Sequence, residues 1–393
     1  MSAFILDWLN LAIRWAHLIA GIGWIGTSFY FIALDLSLRK RARMNEGVYG
    51  TAWEVHGGGF YHVEKYLTAP KQLPDDLLWY KWEAYLTWFT GFLLLIVQYY
   101  WNASLYLIDP TVAELSPMLA VVISIISLIV GWFLYDGLCR SNFGQNPTAL
   151  AIAVFALIVA ASFAFQHVFS GRGALVHVGA LVGTLMAVNV FGLIIPNQKQ
   201  ITAALLRGET PDPRLGAIGK QRSVHNTYLT LPVLLMMVSG HYPMLTGHPQ
   251  AWLLVALILI AGASIRYFLL RHEVGDPLSK IGWTLLVIGA ALGLALVLTA
   301  PREDLAAAAL QVSDERAIEI AQTHCAMCHS VHPTDDAFLH APKQVTLDTL
   351  ADLRRYAALI EQQAVHSNAM PLGNRTGMTA EERRELGAWL SRL

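Results

Sequence analysis

The sequence predicts an all-α protein in two parts, a bundle of eight membrane-spanning helices followed by a small soluble helical domain. Three observations carry that prediction. Only 14% of the 393 residues are charged and 55% are hydrophobic, whereas a soluble globular chain carries about a quarter charged. Apolar runs of about twenty residues, the length that crosses a bilayer, recur eight times before residue 300. From about residue 312 the chain turns charged and amphipathic, with an ordinary soluble balance.

Taken in order, the apolar runs lie at about 9–34, 84–101, 117–136, 149–169, 174–195, 228–245, 251–270 and 281–299. One such run is compatible with a buried core helix, but eight within three hundred residues are not. The division expected is residues 1–300 as the transmembrane domain, 301–311 as a linker, and 312–393 as a second domain. A unit that small gains much from a large apolar group packed inside it.

Orientation follows from Lys and Arg in the short loops. The loops after the first, third, fifth and seventh spans hold fifteen, among them Arg39, Lys40, Arg41, Arg43, Lys71, Arg140 and Arg271. The opposite loops hold Arg172 alone. Both termini and the C-terminal domain are therefore expected outside the cytoplasm. The first span is too long for a cleavable signal peptide, and its positive flank follows it rather than leading it.

The pentapeptide Cys325-Ala326-Met327-Cys328-His329 is the attachment pattern of a c-type haem. Two thiols form thioethers to the porphyrin and the adjacent imidazole of His329 becomes the proximal iron ligand. A metal knuckle or a redox dithiol usually lacks the abutting His and brings a second ligand pair; here only Cys139 remains, far away in an apolar run. A soft distal ligand suits an electron-transfer haem. Met370, before Pro371, is favoured over Met378, which directly precedes the capping-box pattern Thr379-Ala380-Glu381-Glu382. Haem attachment on that side places the domain in the bacterial periplasm, in agreement with the charge count.

Ionisable residues at membrane depth mark functional positions. His17, His167, His177 and His241 fall toward the outer side, and Arg14 shares a helix face with His17. Histidines on facing helices suit one or two b-type haems, with Arg meeting a propionate; the alternative is a set of interfacial histidines beside a packing seam of Gly21, Gly23 and Gly26. On the inner side, the stretch Trp53 to Lys65 combines Glu54, His56, Tyr61, His62, Glu64 and Lys65 around Gly57-Gly58-Gly59. His56, His62, Glu54 and Glu64 are the candidate catalytic acids and bases; Lys65, Tyr61 and Arg222 are the candidate anion- and ring-binding groups. A purely interfacial, headgroup-level loop is the competing reading. Arg140, Asn142, Gln145, Asn146, His225, Asn226, His272 and Glu273 lie on the same side.

Three stretches in this order, Arg14-Trp15-Ala16-His17 through Gly21 and Trp24 to Gly26, Glu54-Val55-His56-Gly57-Gly58-Gly59-Phe60-Tyr61, and the C-terminal Cys-x-x-Cys-His, resemble the bacterial membrane-bound, cytochrome-c-linked urate hydroxylases over the whole chain. The first stretch is also similar to haem-dependent membrane protoporphyrinogen oxidases. The resemblance implies an eight-helix urate-oxidising domain fused to a cytochrome c domain in the inner membrane. It further implies oxidation and hydration of urate to 5-hydroxyisourate in purine breakdown, with electrons passed to haem c and on to a soluble cytochrome or a terminal oxidase. The expected partners are then urate, that acceptor and the lipid bilayer, and no nucleic acid. Urate bound at the inner loop would lie about 30 Å of hydrocarbon from the periplasmic domain, a distance that demands a cofactor partway. Two other classes compete: an anchored electron-transfer subunit with no substrate of its own, and a transporter or haem-handling protein with a fused cytochrome.

Overall fold

A computed structural model describes residues 3–67, 70, 73–74, 76–301 and 310–393. Lys71, one of the loop cations counted above, and residues 302–309 of the expected 301–311 linker lie outside the described residues.

Helices occupy each of the eight apolar runs: α1 Ala3–Ser37, α2 Trp82–Leu94 with a π turn Leu95–Tyr100 continuing it, α3 Pro117–Arg140, α4 Pro147–Gln166, α5 Gly171–Leu206 with a π turn Asn189–Ile194 inside it, α6 Pro213–Val238, α7 Ala251–Glu273 and α8 Trp283–Thr299. Among the described residues five of these, α1, α3, α4, α5 and α7, are long and apolar enough to cross a membrane. Local sequence sets their starts. Ser116, Asn146, Ser170 and Asp212 are N-caps whose side chains accept from the first free backbone N–H groups, and Pro117, Pro147 and Pro213 stand where a missing N–H costs nothing. The core runs through α3, α4, α5 and α6 around Tyr135, Ile158, Leu181, Leu185 and Met236. Large apolar side chains such as Trp15, Ile22, Phe133 and Ile152 cover the outside.

The structure departs from the all-α expectation at one place. The charged loop after α1 folds as an antiparallel hairpin, β1 Val48–His56 and β2 Gly59–Tyr66. Its two-residue turn is Gly57-Gly58, with φ of 59° and 78°, the left-handed pair that a type I′ hairpin demands. The triple glycine thus serves strand reversal. The hairpin is tied to the end of α1 by the Arg39–Thr51 bridge and by ion pairing of Lys65 Nζ with Asp35 at 2.6 Å.

Residues from Val312 on have a separate core of Ala317, Ile320, Ala321, Leu353, Leu386 and Trp389. Its last helix, Ala380–Leu390, opens with the Thr379/Glu382 capping box that the sequence predicts. This unit rests on the opposite end of the bundle from the hairpin. Asn368 N–H donates to Gly247 O at 3.3 Å, and Gly373 lies against the carbonyl of Ile108. The bundle therefore has a hairpin end and a capped end, separated along α3 by about 35 Å at 1.5 Å per residue.

Candidate functional site

A cavity of about 1300 Å³ lies at the capped end, walled on one side by the bundle and on the other by the C-terminal unit. Arg14, His17, Gln98, Arg172 and His241 line it from the bundle, and Cys325, Cys328, His329, Met370 and Met378 from the C-terminal unit. Most of the wall is apolar, with Trp24 and Trp88 among its aromatic faces.

The bundle wall holds its polar groups in place. His17 Nδ1 lies 2.9 Å from Thr87 O and 3.1 Å from Thr90 Oγ1. Donation to the carbonyl puts the proton on Nδ1 and leaves Nε2 as a lone-pair acceptor. The ring passes so close to α2 that a Cβ at Gly91 would stand 2.9 Å from His17 Cε1. Arg14 donates to Gln98 Oε1 at 2.7 Å and to Asn10. Gln98 sits in the π turn Leu95–Tyr100, whose extra residue re-aims a side chain that a regular helix would turn away; such turns concentrate at functional sites.

The other histidines expected toward the outer side divide. His241 lines the cavity from the end of α6. His177 is fully buried, and both ring nitrogens are bonded, Nδ1 to Gly173 O at 2.7 Å and Nε2 to Ser124 Oγ at 2.6 Å, inside a cage of Tyr99, Phe165 and Phe169. His167 is exposed, with Nδ1 bonded to Phe163 O at 2.8 Å. The structure brings His17 and His241 to the cavity and keeps His177 and His167 in local contacts.

On the facing wall, His329 Nδ1 lies 2.9 Å from Val345 O, the bond that fixes the tautomer of a ligating imidazole and frees Nε2. Both thiols are free and line the cavity. Burial pushes Cys325 up to about 11, and burial followed by the nearby Asp335 carboxylate raises Cys328. Among the described residues no group of three His, Cys, Asp or Glu converges as a metal cage. Met370 is half-buried beside a cavity-lining segment anchored by its own N–H to Gln363 O and by Arg383 donating to its carbonyl at 2.6 Å. Met378 is buried in the C-terminal core with Ile320 and Leu386, which leaves Met370 as the freer of the two.

The hairpin set is elsewhere. Glu54 accepts from Tyr30 Oη at 2.8 Å, Lys65 pairs with Asp35, and the His62 ring stacks on Trp53 at 4.4 Å between centroids. His56, beside the turn, and Tyr61 are exposed. Glu64 accepts from Tyr66 Oη at 2.6 Å and from Asn45, and these bonds, the tyrosine's first, hold its carboxyl below the usual range. None of these residues lines the cavity.

Arg222 is buried within α6 and donates to Asp136 Oδ1 at 2.6 Å while stacking over the Tyr135 ring. It belongs to a buried polar cluster with Tyr135, Asn189, His225 and Asn226, of which only Asn226 reaches the cavity. Sequence reasoning marked Arg222, His225 and Asn226 and missed Tyr135, Asp136 and Asn189. An Asn inside an apolar run, as at position 189, is the signal that would have found the last of them.

No curated protein and no solved structure matches the chain. Residues 3–300 match the family model described as urate oxidase N-terminal, and the chain belongs to that family.

Proposed function

We propose that the chain oxidises and hydrates urate to 5-hydroxyisourate in the capped-end cavity, and passes the electrons to a haem c of its own C-terminal unit and then to a soluble cytochrome or terminal oxidase. The observation that supports this most is the single cavity that holds both His17 and Arg14 of the family-matched region and the Cys325-x-x-Cys328-His329 motif. Substrate and electron acceptor then share one space, and no 30 Å crossing is needed.

The residues present fit a covalent haem. Two thiols and a tautomer-fixed imidazole face an apolar cavity, and Met370 supplies a thioether on the same wall. When bound, the haem supplies a one-electron acceptor, used twice per urate. The chain's own residues do the rest. Arg14 and Arg172 meet an anionic heterocycle, Trp24 and Trp88 offer faces to a planar ring, and His17 Nε2 accepts a proton from the attacking water. The urate anion and water give the anion of 5-hydroxyisourate, two protons and two electrons. A b-type haem in this cavity would be held by His17 and His241, the two of the expected histidines that line it, with Arg14 and Arg172 on its propionates, in place of the urate-binding roles given above.

The proposed setting is the bacterial inner membrane, spanned by all eight helices, with both termini and the cytochrome domain periplasmic. The test is urate turnover by the purified protein with oxidised soluble cytochrome c as acceptor. The reading requires loss of urate with two electrons delivered per molecule; urate left unchanged beside a reducible haem would favour an anchored electron-transfer subunit.

A further inference from the structure

Oxidation of urate releases two protons as well as two electrons, and a largely apolar cavity has to dispose of them. The bundle holds a buried polar chain that begins at the cavity and runs away from the C-terminal unit. Asn226 lines the cavity. Asn189 Nδ2 donates to Asn226 Oδ1 at 2.9 Å and to Tyr135 Oη at 2.9 Å, and Tyr135 Oη lies 2.7 Å from His225 Nδ1. Beside Tyr135, Arg222 stacks over the ring at 4.9 Å and bonds Asp136 Oδ1 at 2.6 Å. The other oxygen of Asp136 pairs with Arg140 at 2.6 Å, whose side chain is 66% exposed at the hairpin end of α3. Seven residues from three helices thus line the way from cavity to hairpin end, hydrogen-bonded or ion-paired in turn except where Arg222 stacks on Tyr135, and Asn189 enters from the first position of a π turn.

The chain is incomplete in a specific way. Arg222 is 2% exposed, yet its Nε and Nη1 have no partner, and Asn189 is fully buried with Oδ1 unpartnered. Buried polar groups in folded proteins are satisfied, and leaving one bare is costly. These orphans are donors on one side of Tyr135 and an acceptor on the other. Water is the species that both gives and takes hydrogen bonds, so it can meet donors and an acceptor alike. An asparagine amide does not shuttle protons; its part is to hold the water and the tyrosine hydroxyl.

We infer that internal waters held by Asn189 and Arg222 complete a proton exit, in which the Tyr135–His225 pair carries the protons of urate oxidation from the cavity toward the hairpin end, along the Arg222–Asp136–Arg140 ion pairs. This rests on the urate reading above. The balance per urate is two electrons delivered one at a time at the capped end and two protons at the opposite end, so turnover separates charge across the bundle.

The test uses the haem-loaded full chain in proteoliposomes with a pH-sensitive dye trapped inside. Urate is added with ferricyanide outside, an impermeant one-electron acceptor whose reduction takes up no proton. Only molecules with the C-terminal unit outward then turn over, and their hairpin ends face the lumen. The lumen is expected to acidify by two protons per urate, a signal that a protonophore collapses. Tyr135→Phe and, separately, His225→Gln should slow that acidification at least about tenfold, within the range for a lost proton-transfer group, while haem c still reduces fully with ascorbate. Protons released outside together with the electrons, or either variant acidifying the lumen at the parental rate, would overturn the inference while leaving urate oxidation standing. Failure of urate to reduce ferricyanide in the parental protein would remove both.

Discussion

The two ends of the bundle carry similar chemical inventories. At the hairpin end stand His56, His62, Glu54, Glu64, Lys65 and a set of aromatics; at the capped end stand His17, His241, Arg14, Arg172, Gln98 and two tryptophans. At the hairpin Glu54 and Lys65 bond to α1, Glu64 bonds to Tyr66 and Asn45, the carboxylates accept from tyrosines, and His56, Tyr61 and His62 are open to solvent. At the capped end the polar groups are spread around a shared apolar cavity, and His17 is fixed through one nitrogen with the other unengaged by the described residues. The difference teaches that residue type alone does not make a site. A hydrogen bond in water is worth little, whereas the same donor aimed into a low-dielectric cavity acts on whatever enters it.

That contrast can be broken at several points. The largest effect is expected at the C-terminal wall. Cys325→Ala, Cys328→Ala and His329→Ala should each abolish urate-driven electron delivery, with covalent haem lost in the cysteine variants, read by haem staining on a denaturing gel. At the bundle wall, His17→Ala should lower the rate of urate-driven haem reduction about 100-fold, the lower part of the range for a lost acid–base group. Gly91→Ala should disturb the same ring indirectly. The added methyl would press on Cε1 at 2.9 Å, an overpacking worth about 1–3 kcal/mol, and a roughly tenfold loss with normal haem loading would show it.

At the hairpin end the expected changes are small. Glu54→Gln, His56→Ala and His62→Ala should each alter turnover by less than about threefold, since each loses at most an exposed contact worth under ~1 kcal/mol. A 100-fold loss in any of them would return the chemistry to the hairpin. The smallest effect concerns stability. Glu382 is held down to about 2, first by the Thr379 backbone N–H and then by the His324 and Thr379 side chains, against the upward pull of burial. Its folded-state value lies below the unfolded one, so its contribution is present above about pH 4.5 and fades as pH falls toward 2. Glu382→Gln should cost the C-terminal unit about 1 kcal/mol at pH 7, and the gap to the parent should close near pH 2, as followed by denaturant unfolding of the intact protein.

Much of this was legible in the chain. Eight apolar runs became helices because length and composition point the same way, a cap followed by Pro sets the start of α3, α4 and α6, and the Thr379/Glu382 box opens the last helix as its spacing requires. The hairpin was less legible. Trp53 to Val63 carries polar residues on both faces, so alternation is weak, and Gly57-Gly58 reads equally as a ligand loop or a turn until the register pairs His56 with Gly59. The cavity could not be read at all. It exists because α1, near the start of the chain, and the Cys-x-x-Cys-His segment, near its end, meet at one end of the bundle, and sequence periodicity says nothing about which helices become neighbours. The π turns at Leu95 and Asn189 leave no local signature, yet they aim Gln98 and Asn189.

The central claim is that urate and the haem-attachment motif share one cavity. Its most direct test is anaerobic mixing of urate with the oxidised, purified protein while the haem c α-band is followed. The account predicts rapid reduction of haem c with no added mediator, slowed about 100-fold in His17→Ala and changed less than about threefold in His62→Ala. Haem c that stays oxidised with urate and reduces at once with ascorbate would contradict it.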